Sequence, residues 1–358
     1  MDAPDASIEA IYLPAITENG ITTAYNETES VRNRVAELRD TIDQVVLEKR
    51  TELGTAHIRP LNLSADQAAS LRTAIKADRR WQKSTQNLVE AIEPQLAQTP
   101  LQAQLDAISL PWWNAAVLSS TSDAYDPASD GLHLDTTMTH SYISQMLRSL
   151  KIKRPANVNA ISVSNVLLTA DGLIALGLRA GHSYANTIMA VPAGSVEYHT
   201  GRNPLFETLY AEHDEEDGLQ RDDCVRTELL GKIHDNALGQ ISLYVFRTLT
   251  YLTFAELLDV WDSAIDNREH KFLIPIQDDP SRTLEFLLAH RYDRSKADPD
   301  TLSKTTLANV NTVLPPCAAS LLLHHTHDKG DRLDDESDRW VRHAQAALGG
   351  QYTFNCGG

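Results

Sequence analysis

The sequence is poor in cysteine and has no long apolar segment. Its 358 residues include three cysteines, Cys224, Cys317 and Cys356, and none stands in a C-x-x-C spacing. Widely separated cysteines argue against a disulfide framework and favour a reducing compartment. The apolar runs fall short of the roughly 18 residues that cross a bilayer. The first ten residues, MDAPDASIEA, lack a basic region followed by an apolar run. We therefore expect a cytoplasmic protein with no signal peptide and no membrane association.

Two common nucleotide-binding motifs are missing from the sequence, and so is any basic patch. There is neither a P-loop nor a G-x-G-x-x-G turn. The net charge is −17, from 49 acidic and 32 basic residues. A surface this acidic repels a nucleic-acid backbone, so we expect no nucleic-acid partner. An anionic small molecule would have to be held by metal ions or by focused arginines.

Length and pattern indicate two domains followed by a tail. The 42% apolar content is sufficient for a large core. Residues 1–155 contain apolar stripes at the 3.6-residue period, and they predict a mainly α-helical N-terminal domain after a short strand at 9–13. Residues 156–330 predict a second, α/β domain. Residues 331–358 predict an acidic C-terminal tail with a short helix at about 335–347 and a loose end.

The N-terminal domain carries no recognisable site. We predict helices over about 30–50, 64–92 and 136–150, with a polar loop at 119–131. Trp112 and Trp113 lie in an apolar patch, where stacking on a base or sugar is less common than packing. The favoured interpretation is an interaction domain, which offers a surface for a protein partner or for self-association.

The second domain alternates strand and helix patterns. The segments 160–169 and 173–179 read as strands joined at the Asp171-Gly172 turn. Further strands are predicted near 187–190, 240–250 and 270–276. Thr253 and Ser281 are predicted to cap two helices, and two more are expected near 301–312 and 317–325. Strands with helices on both sides indicate an α/β/α sandwich.

One stretch, from residue 191 to 219, contains the main candidate functional residues. It opens with a Pro-Ala-Gly turn and continues into a helix that Asn203 would cap and Pro204 would begin. Gly218 suits the left-handed residue after a helix. Leu205 and Leu209 mark its inward face, together with their aromatic neighbours.

Three glutamates crowd the end of that helix. Glu212, Glu215 and Glu216 stand at i, i+3 and i+4, so they share one side. A helix C-terminus disfavours anions, and like charges at this spacing repel one another. A hard divalent cation among the oxygens would relieve both effects. The alternative is that the glutamates form a solvated face.

The order of residues from 194 to 219 resembles the Nudix box, the loop–helix–loop motif of the Nudix hydrolase family. The family pattern is Gly, five residues, Glu, seven residues, then Arg-Glu-apolar-any-Glu-Glu-any-Gly-apolar. Counted back from its end, the three glutamates of the helix fall on Glu212, Glu215 and Glu216. The hairpin that ends at Arg179 also resembles the strand–turn–strand that precedes the box in the family.

The stretch departs from the family pattern at four places. Ala211 occupies the Arg slot, His213 an apolar slot, and Asn203 the slot of the upstream Glu. Measured from Gly194, the box is three residues too long. In the family the missing Arg and Glu pair and brace the loop. Their joint loss leaves no orphan charge, so bracing is affected more than metal binding.

The resemblance implies a Nudix-like α/β/α sandwich and a hydrolase that cleaves a diphosphate linkage in a nucleoside diphosphate derivative. Glu212, Glu215 and Glu216 would be catalytic residues that hold Mg²⁺ or Mn²⁺. Arg179 would bind substrate phosphate, although a surface salt bridge would explain it equally well. The general base would be one of the three glutamates or a carboxylate outside the box, with Glu197, Asp266 and Glu269 as candidates.

Two alternatives accompany this interpretation. Because the Arg and Glu of the box are lost, the protein could instead be a catalytically impaired nucleotide- or protein-binding sensor or scaffold. The sequence His324-His325-x-His327 could in principle bind zinc, but no matching Cys or acid partner stands near it. We therefore expect these histidines not to be metal ligands.

Overall fold

The structure is a computed structural model that describes eleven segments of the chain. These are residues 8–25, 116–129, 131–140, 160–180, 184–197, 203–235, 241–265, 267–293, 310–327, 335–348 and 352–356. The chain divides into two compact units. The first contains residues 1–25, 120–136 and 161–358, and the second contains 26–119 and 137–160. The second unit is described only near its ends, where Ser119 pairs with Ala160.

Strands dominate the described residues, and we number them in chain order. They are β1 (Ile8–Ile16), β2 (Ile21–Tyr25), β3 (Ala116–Asp126), β4 (Gly131–His140), β5 (Ile161–Leu168), β6 (Leu173–Arg179), β7 (Ile188–Ala190), β8 (Ala193–Ser195), β9 (Cys224–Asp235), β10 (Ile241–Thr250), β11 (His270–Gln277) and β12 (Tyr352–Cys356). The helices are α1 (Pro204–Glu212), α2 (Phe254–Asp262), α3 (Pro280–Ala289), α4 (Pro315–His327) and α5 (Asp335–Leu348).

Nine of these strands form one mixed sheet. Its order is β11-β6-β5-β10-β9-β1-β12, with β7 beside β6 and β8 beside β5. The central pair β5–β10 is parallel, as is the edge pair β1–β12. The other described pairings in this sheet are antiparallel. The smaller sheet has the order β2-β4-β3.

Helices cover both faces of the large sheet. Because side chains alternate along a strand, Val166 on β5 points to one face and Leu167 to the other. Val166 packs in the cluster that contains α3, α4 and α5 residues, whereas Leu167 packs with Leu257 of α2. Helix α1 lies on the second face, where Phe206 meets Phe246 of β10 edge-on at 5.0 Å. The mixed α/β fold expected from the sequence is confirmed.

Several boundaries agree with the sequence pattern. The strand at β1, the hairpin at Asp171-Gly172, strands β6, β10 and β11, and the helices α2 and α5 all lie where they were expected. Thr253 caps α2, and its N–H in turn meets the carboxylate of Glu256. Helix α3 begins at Pro280, so its cap is Asp279 rather than the predicted Ser281.

Three local predictions are wrong. In the loop predicted over 119–131, residues 119–126 belong to β3, 127–129 form a turn and Gly131 begins β4. The helix predicted from 136 does not begin there, because 136–140 belong to β4, where Leu132 and Leu134 alternate with polar neighbours and are buried. Residues 352–356 are not loose: β12 pairs with β1 from Ile8↔Tyr352 to Tyr12↔Cys356.

The helical N-terminal domain and the division at residue 155 stay predictions. Residues 26–115 and 141–159 lie outside the described segments, and they include Trp112, Trp113 and the predicted boundary. The helix predicted over 301–312 also lies mostly outside them. Within the described part of the chain, no helix combines the length and apolar character that a membrane span requires.

Candidate active site

The box helix begins as its sequence predicts. The side chain of Asn203 accepts a hydrogen bond from the N–H of Leu205 at 3.1 Å, and Pro204 takes the first helical position. Leu205, Phe206 and Leu209 are buried, so the apolar stripe faces the sheet. Helix α1 therefore packs against β8 and β5.

The last turn of the box helix is wound as a π-helix. It spans His213–Asp217 and ends at Gly218, whose φ of 78° is left-handed. Short π-turns mark functional sites in many helices. Here the winding accommodates a fully buried pair, in which His213 Nδ1 lies 2.8 Å from Asp217 Oδ2. His213 thus fills the apolar slot of the box with a satisfied polar ring.

The sheet supplies polar partners behind that pair. His213 Nε2 lies 3.4 Å from both Asn165 Nδ2 and Thr248 Oγ1. Thr248 donates to Asn165 Oδ1 at 3.1 Å, and the N–H of Leu219 donates to Asp217 Oδ1 at 3.1 Å. A buried polar network of this kind is stable only when its members are satisfied. It therefore holds the π-turn in one register on the sheet.

Gly194 and Glu212 make the closest approach in the site. A Cβ added to Gly194 would lie 1.6 Å from Glu212 Oε1 and 2.1 Å from its Cδ. No other residue fits at this point without displacing the carboxylate. The glycine that opens the box therefore lets β8 pass directly against the first glutamate of the helix.

Glu216 is buried, with 4% of its surface exposed. Its Oε2 lies 3.3 Å from His270 Nε2, and the N–H of Ala193 also hydrogen-bonds its carboxylate. The His270 ring lies flat against Gly177, because a Cβ there would come within 2.4 Å of Nδ1. Gly194 thus leaves space for the side chain of Glu212, and Gly177 leaves space for the His270 ring that contacts Glu216.

Arg179 ends β6 beside these carboxylates. Its Nη2 lies 3.0 Å from Glu269 Oε2, and its Nη1 lies 3.1 Å from Met189 Sδ. Its buried Nε has no hydrogen-bond partner among the described residues. The Nε is shielded from solvent, so the contact of this guanidinium beside the cluster is its pair with Glu269.

Burial and mutual repulsion disturb the ionisation of two glutamates. The pKa of Glu212 is raised well above its ordinary value, first by burial and then by the charges of Glu216, Glu215, Glu269 and Glu197. Burial also raises the pKa of Glu216, and Glu269 adds to this while Arg179 opposes it. The carboxylates lie close enough to interact, and their burial and mutual repulsion disfavour joint ionisation.

The predicted ligands differ in exposure, and their oxygen atoms do not all lie within 4.8 Å of one another. Glu212 is half-buried and Glu215 is exposed, as is Glu197 after β8. Asp266 lies outside the described residues. Among the described residues, the group of three potential ligands with donor atoms all within 4.8 Å is a different one, Asp278, His324 and His325.

A different ion-pair arrangement braces the start of the box helix. Arg221, after the π-turn, lies 2.5 Å from Glu18 and 3.2 Å from Glu207, and it covers the ring of Tyr210 at 4.5 Å. The Nδ2 of Asn203 also donates to the carbonyls of Glu18 and Ile21 at 3.3 Å. The sequence analysis missed this brace because Glu18 lies far from the box in the chain.

Comparisons with known proteins give limited similarity. No family model matches the sequence. No curated protein matches it either. Among solved structures, the protein DR0079 of Deinococcus radiodurans is similar with a TM-score of 0.27 and 14% identity, over 36% of this chain and 73% of that one.

A bifunctional NMN adenylyltransferase/ADP ribose pyrophosphatase from Francisella tularensis is similar with a TM-score of 0.25 and 15% identity, over 36% of each chain. The same enzyme complexed with AMP and a manganese ion gives a TM-score of 0.24 at 14% identity, again over 36% of each chain. The present chain thus spans about a third of that enzyme. Likeness at these scores carries no argument about activity.

Proposed function

We propose that this protein is a Nudix-type hydrolase that uses a divalent metal to cleave a diphosphate linkage in a nucleoside diphosphate derivative. The observation that carries the proposal is the pair Glu212 and Glu216. Glu212 lies directly against Gly194 of β8, Glu216 is buried 3.3 Å from His270, and neighbouring carboxylates raise the pKa of both. Crowded carboxylates repel one another when ionised, and a cation bound among them would relieve that repulsion.

The donor set fits a hard cation. Glu212, Glu215 and Glu216 offer only oxygen atoms, which Mg²⁺ and Mn²⁺ prefer. Bound there, the metal would polarise phosphate oxygens and lower the pKa of a bound water. Exposed Glu215 opens the cluster to solvent, while the π-turn network keeps buried Glu216 in position.

Glu269 is our candidate for the general base, and Arg179 for the phosphate contact. The charge of Glu269 raises the pKa of both Glu212 and Glu216, and its Oε2 lies 3.0 Å from Arg179 Nη2. The guanidinium fixes the Glu269 carboxylate through this ion pair. The charge of Glu197 raises the pKa of Glu212, and Glu197 is exposed. The planar guanidinium of Arg179 suits contact with a phosphate oxygen.

A substrate screen tests the proposal. Purified protein should be assayed on nucleotide sugars, dinucleotides and nucleoside diphosphates with Mg²⁺ or Mn²⁺, and products should be separated to show which bond is cleaved. We expect metal-dependent cleavage at the diphosphate, lost in Glu216→Gln. Glu285→Gln is the matched control, because Glu285 is an exposed glutamate paired with Arg282 on α3. Equal activity in both variants would exclude the box as the active site.

A second candidate is a catalytically impaired nucleotide-binding or protein-binding protein. Two observations favour it: Ala211, in the Arg slot, is exposed, and Asn203, in the Glu slot, serves as the helix cap. Under this alternative the screen shows no turnover, while calorimetry with Mn²⁺ still detects binding of a nucleoside diphosphate. That binding should then disappear in Glu216→Gln.

A further inference from the structure

The C-terminal turn of α4 carries three buried histidines with different surroundings. His327 Nε2 lies 2.7 Å from the carbonyl of Leu230, and its ring stacks on Tyr12 with 4.3 Å between centroids. Burial lowers the pKa of His327 to about 4. It is therefore a neutral packing histidine, in line with the expectation that it is not a metal ligand. His324 and His325 differ from it because a carboxylate reaches both.

That carboxylate belongs to Asp278, between β11 and α3. Asp278 Oδ1 lies 2.7 Å from His324 Nε2 and 3.9 Å from His325 Nδ1. Asp278 keeps 26% of its side chain exposed, whereas the two rings are buried. The cluster thus has a polar opening to solvent and imidazole nitrogens on its inner side.

We propose that Asp278, His324 and His325 form a binding site for a late first-row divalent cation of the zinc class. One carboxylate oxygen and two imidazole nitrogens are typical zinc ligands, and three protein ligands leave a fourth position for water. In a tetrahedral site with bonds of about 2.0–2.1 Å, ligand atoms lie about 3.3 Å apart. The two separations from Asp278 Oδ1, 2.7 and 3.9 Å, bracket that distance.

Thr283 supplies the outer contact that a metal-binding histidine usually makes. Its Oγ1 lies 2.7 Å from His325 Nε2, and the residue is fully buried. A His325 that bound a metal through Nδ1, the nitrogen 3.9 Å from Asp278, would donate its Nε2–H to this hydroxyl. Such second contacts fix the tautomer and orientation of a ligating ring. For His324, the nitrogen next to Asp278 is Nε2.

The site is separate from the box. His270 and Asp278 stand at opposite ends of β11 and are eight positions apart, which corresponds to about 26 Å at 3.3 Å per residue. The N–H of Asp278 donates to the carbonyl of Gly172, so the cluster lies at the hairpin end of β6. Its nitrogen ligands select a softer cation than the oxygens of the box. The inference therefore does not depend on the proposed function.

Zinc titration of the full chain tests the site. Protein stripped with EDTA should be titrated with Zn²⁺ in competition with a chromophoric chelator, for the wild type, Asp278→Asn, His325→Gln and the control His133→Gln. His133 is an exposed histidine 3.5 Å from Asp135, so it also removes an imidazole beside a carboxylate. A background with Glu215→Gln and Glu216→Gln separates zinc in the cluster from zinc in the box.

We expect one zinc per chain that persists in the control and in the double-glutamine background, with affinity at least tenfold lower in Asp278→Asn and His325→Gln. Equal affinity in all variants, absence of zinc binding to the wild type, or loss only in the double-glutamine background would each overturn the proposal. Asp278→Asn keeps the side-chain size and a polar contact to His324, and far-UV circular dichroism should verify folding.

A second measurement leaves the ligands unchanged. The indole of Trp340 packs edge-on to His325 with 5.5 Å between centroids. Co²⁺ in the cluster should quench this tryptophan, so saturable quenching should be present in the wild type and absent in Trp340→Phe. If Trp340→Phe retains all of the quenching, cobalt is bound elsewhere and the site is wrong.

Discussion

The two ends of strand β11 hold different ligand chemistries on one sheet. At the His270 end, glutamates from a π-turn crowd against β8, and their ionisation is strained. At the Asp278 end, two imidazoles and one carboxylate already lie within 4.8 Å of one another. The carboxylates of the first set repel one another when charged, whereas the second set contains only one carboxylate. This difference predicts a hard-cation site at one end and a zinc-class site at the other.

The largest effect is expected from removing the paired acids of the box. Glu215→Gln with Glu216→Gln should abolish calorimetric binding of Mn²⁺ and lower turnover by about 10²–10³-fold, the usual size for loss of a preorganised charge at a reacting centre. Zinc binding at the other end should be retained. The control is Asp278→Asn, which should leave turnover and Mn²⁺ binding unchanged. The two ends are not independent if each change affects both metals.

Gly194→Ala tests the close approach of β8 to the box helix. The added Cβ would meet Glu212 at 1.6 Å, so the carboxylate or β8 must move. We expect weaker Mn²⁺ binding and a loss of about 1–3 kcal/mol in the free energy of unfolding, as for other overpacked sites.

A double-mutant cycle shows whether that loss arises at Glu212. Glu212→Ala removes the clashing atoms, so Gly194→Ala should cost much less in its background. Equal costs in both backgrounds would place the strain in the backbone of β8 instead, and Gly194 would have no specific relation to the first glutamate.

The pH dependence of unfolding sharpens the contrast between the two ends. The folded-state pKa values of Glu212 and Glu216 are raised above the ordinary 4.5. The folded state therefore binds protons more tightly than the unfolded state, and metal-free stability should fall as pH rises from about 4.5 toward the folded pKa. Urea unfolding in EDTA should show this decline, and Glu216→Gln should reduce it. A decline of the same size in both proteins would assign it to other groups.

The smallest effect is expected at the brace of the box helix. Arg221 is about half exposed, so its pairs with Glu18 and Glu207 are screened by solvent. Arg221→Ala should cost about 0.2–1 kcal/mol in unfolding free energy, and added salt should reduce the difference. A loss several times larger would show that the brace substitutes fully for the missing Arg and Glu of the box.

The sequence predicted the features of the box that depend on local chemistry. Asn203, Pro204 and Gly218 determine the start and end of the helix through backbone needs that any helix has. The π-turn could not be predicted, because the buried pair His213–Asp217 is stabilised by Asn165 and Thr248 from the sheet. These partners are adjacent only in the folded chain.

Strand β9 and the histidine cluster were missed for the same reason. Charged residues interrupt the apolar pattern of β9, yet Glu228 is buried and Arg247 donates to it from the neighbouring strand. Asp278 lies 46 positions before His324, so no local spacing pairs them. A sequence pattern indicates that a polar residue requires a partner, and only the fold shows which distant residue is that partner.

The most direct test of the box as a metal site is unfolding of the wild type and Glu216→Gln, each in EDTA and in millimolar Mg²⁺ at fixed ionic strength. Without metal, the variant should be more stable by about 0.5–2 kcal/mol, because one repelling charge is gone. Magnesium should stabilise the wild type, by about 2.7 kcal/mol at a hundredfold excess over its dissociation constant, and the variant much less. Equal shifts in both proteins would mean that magnesium acts as a general salt, and would contradict a metal site at this helix.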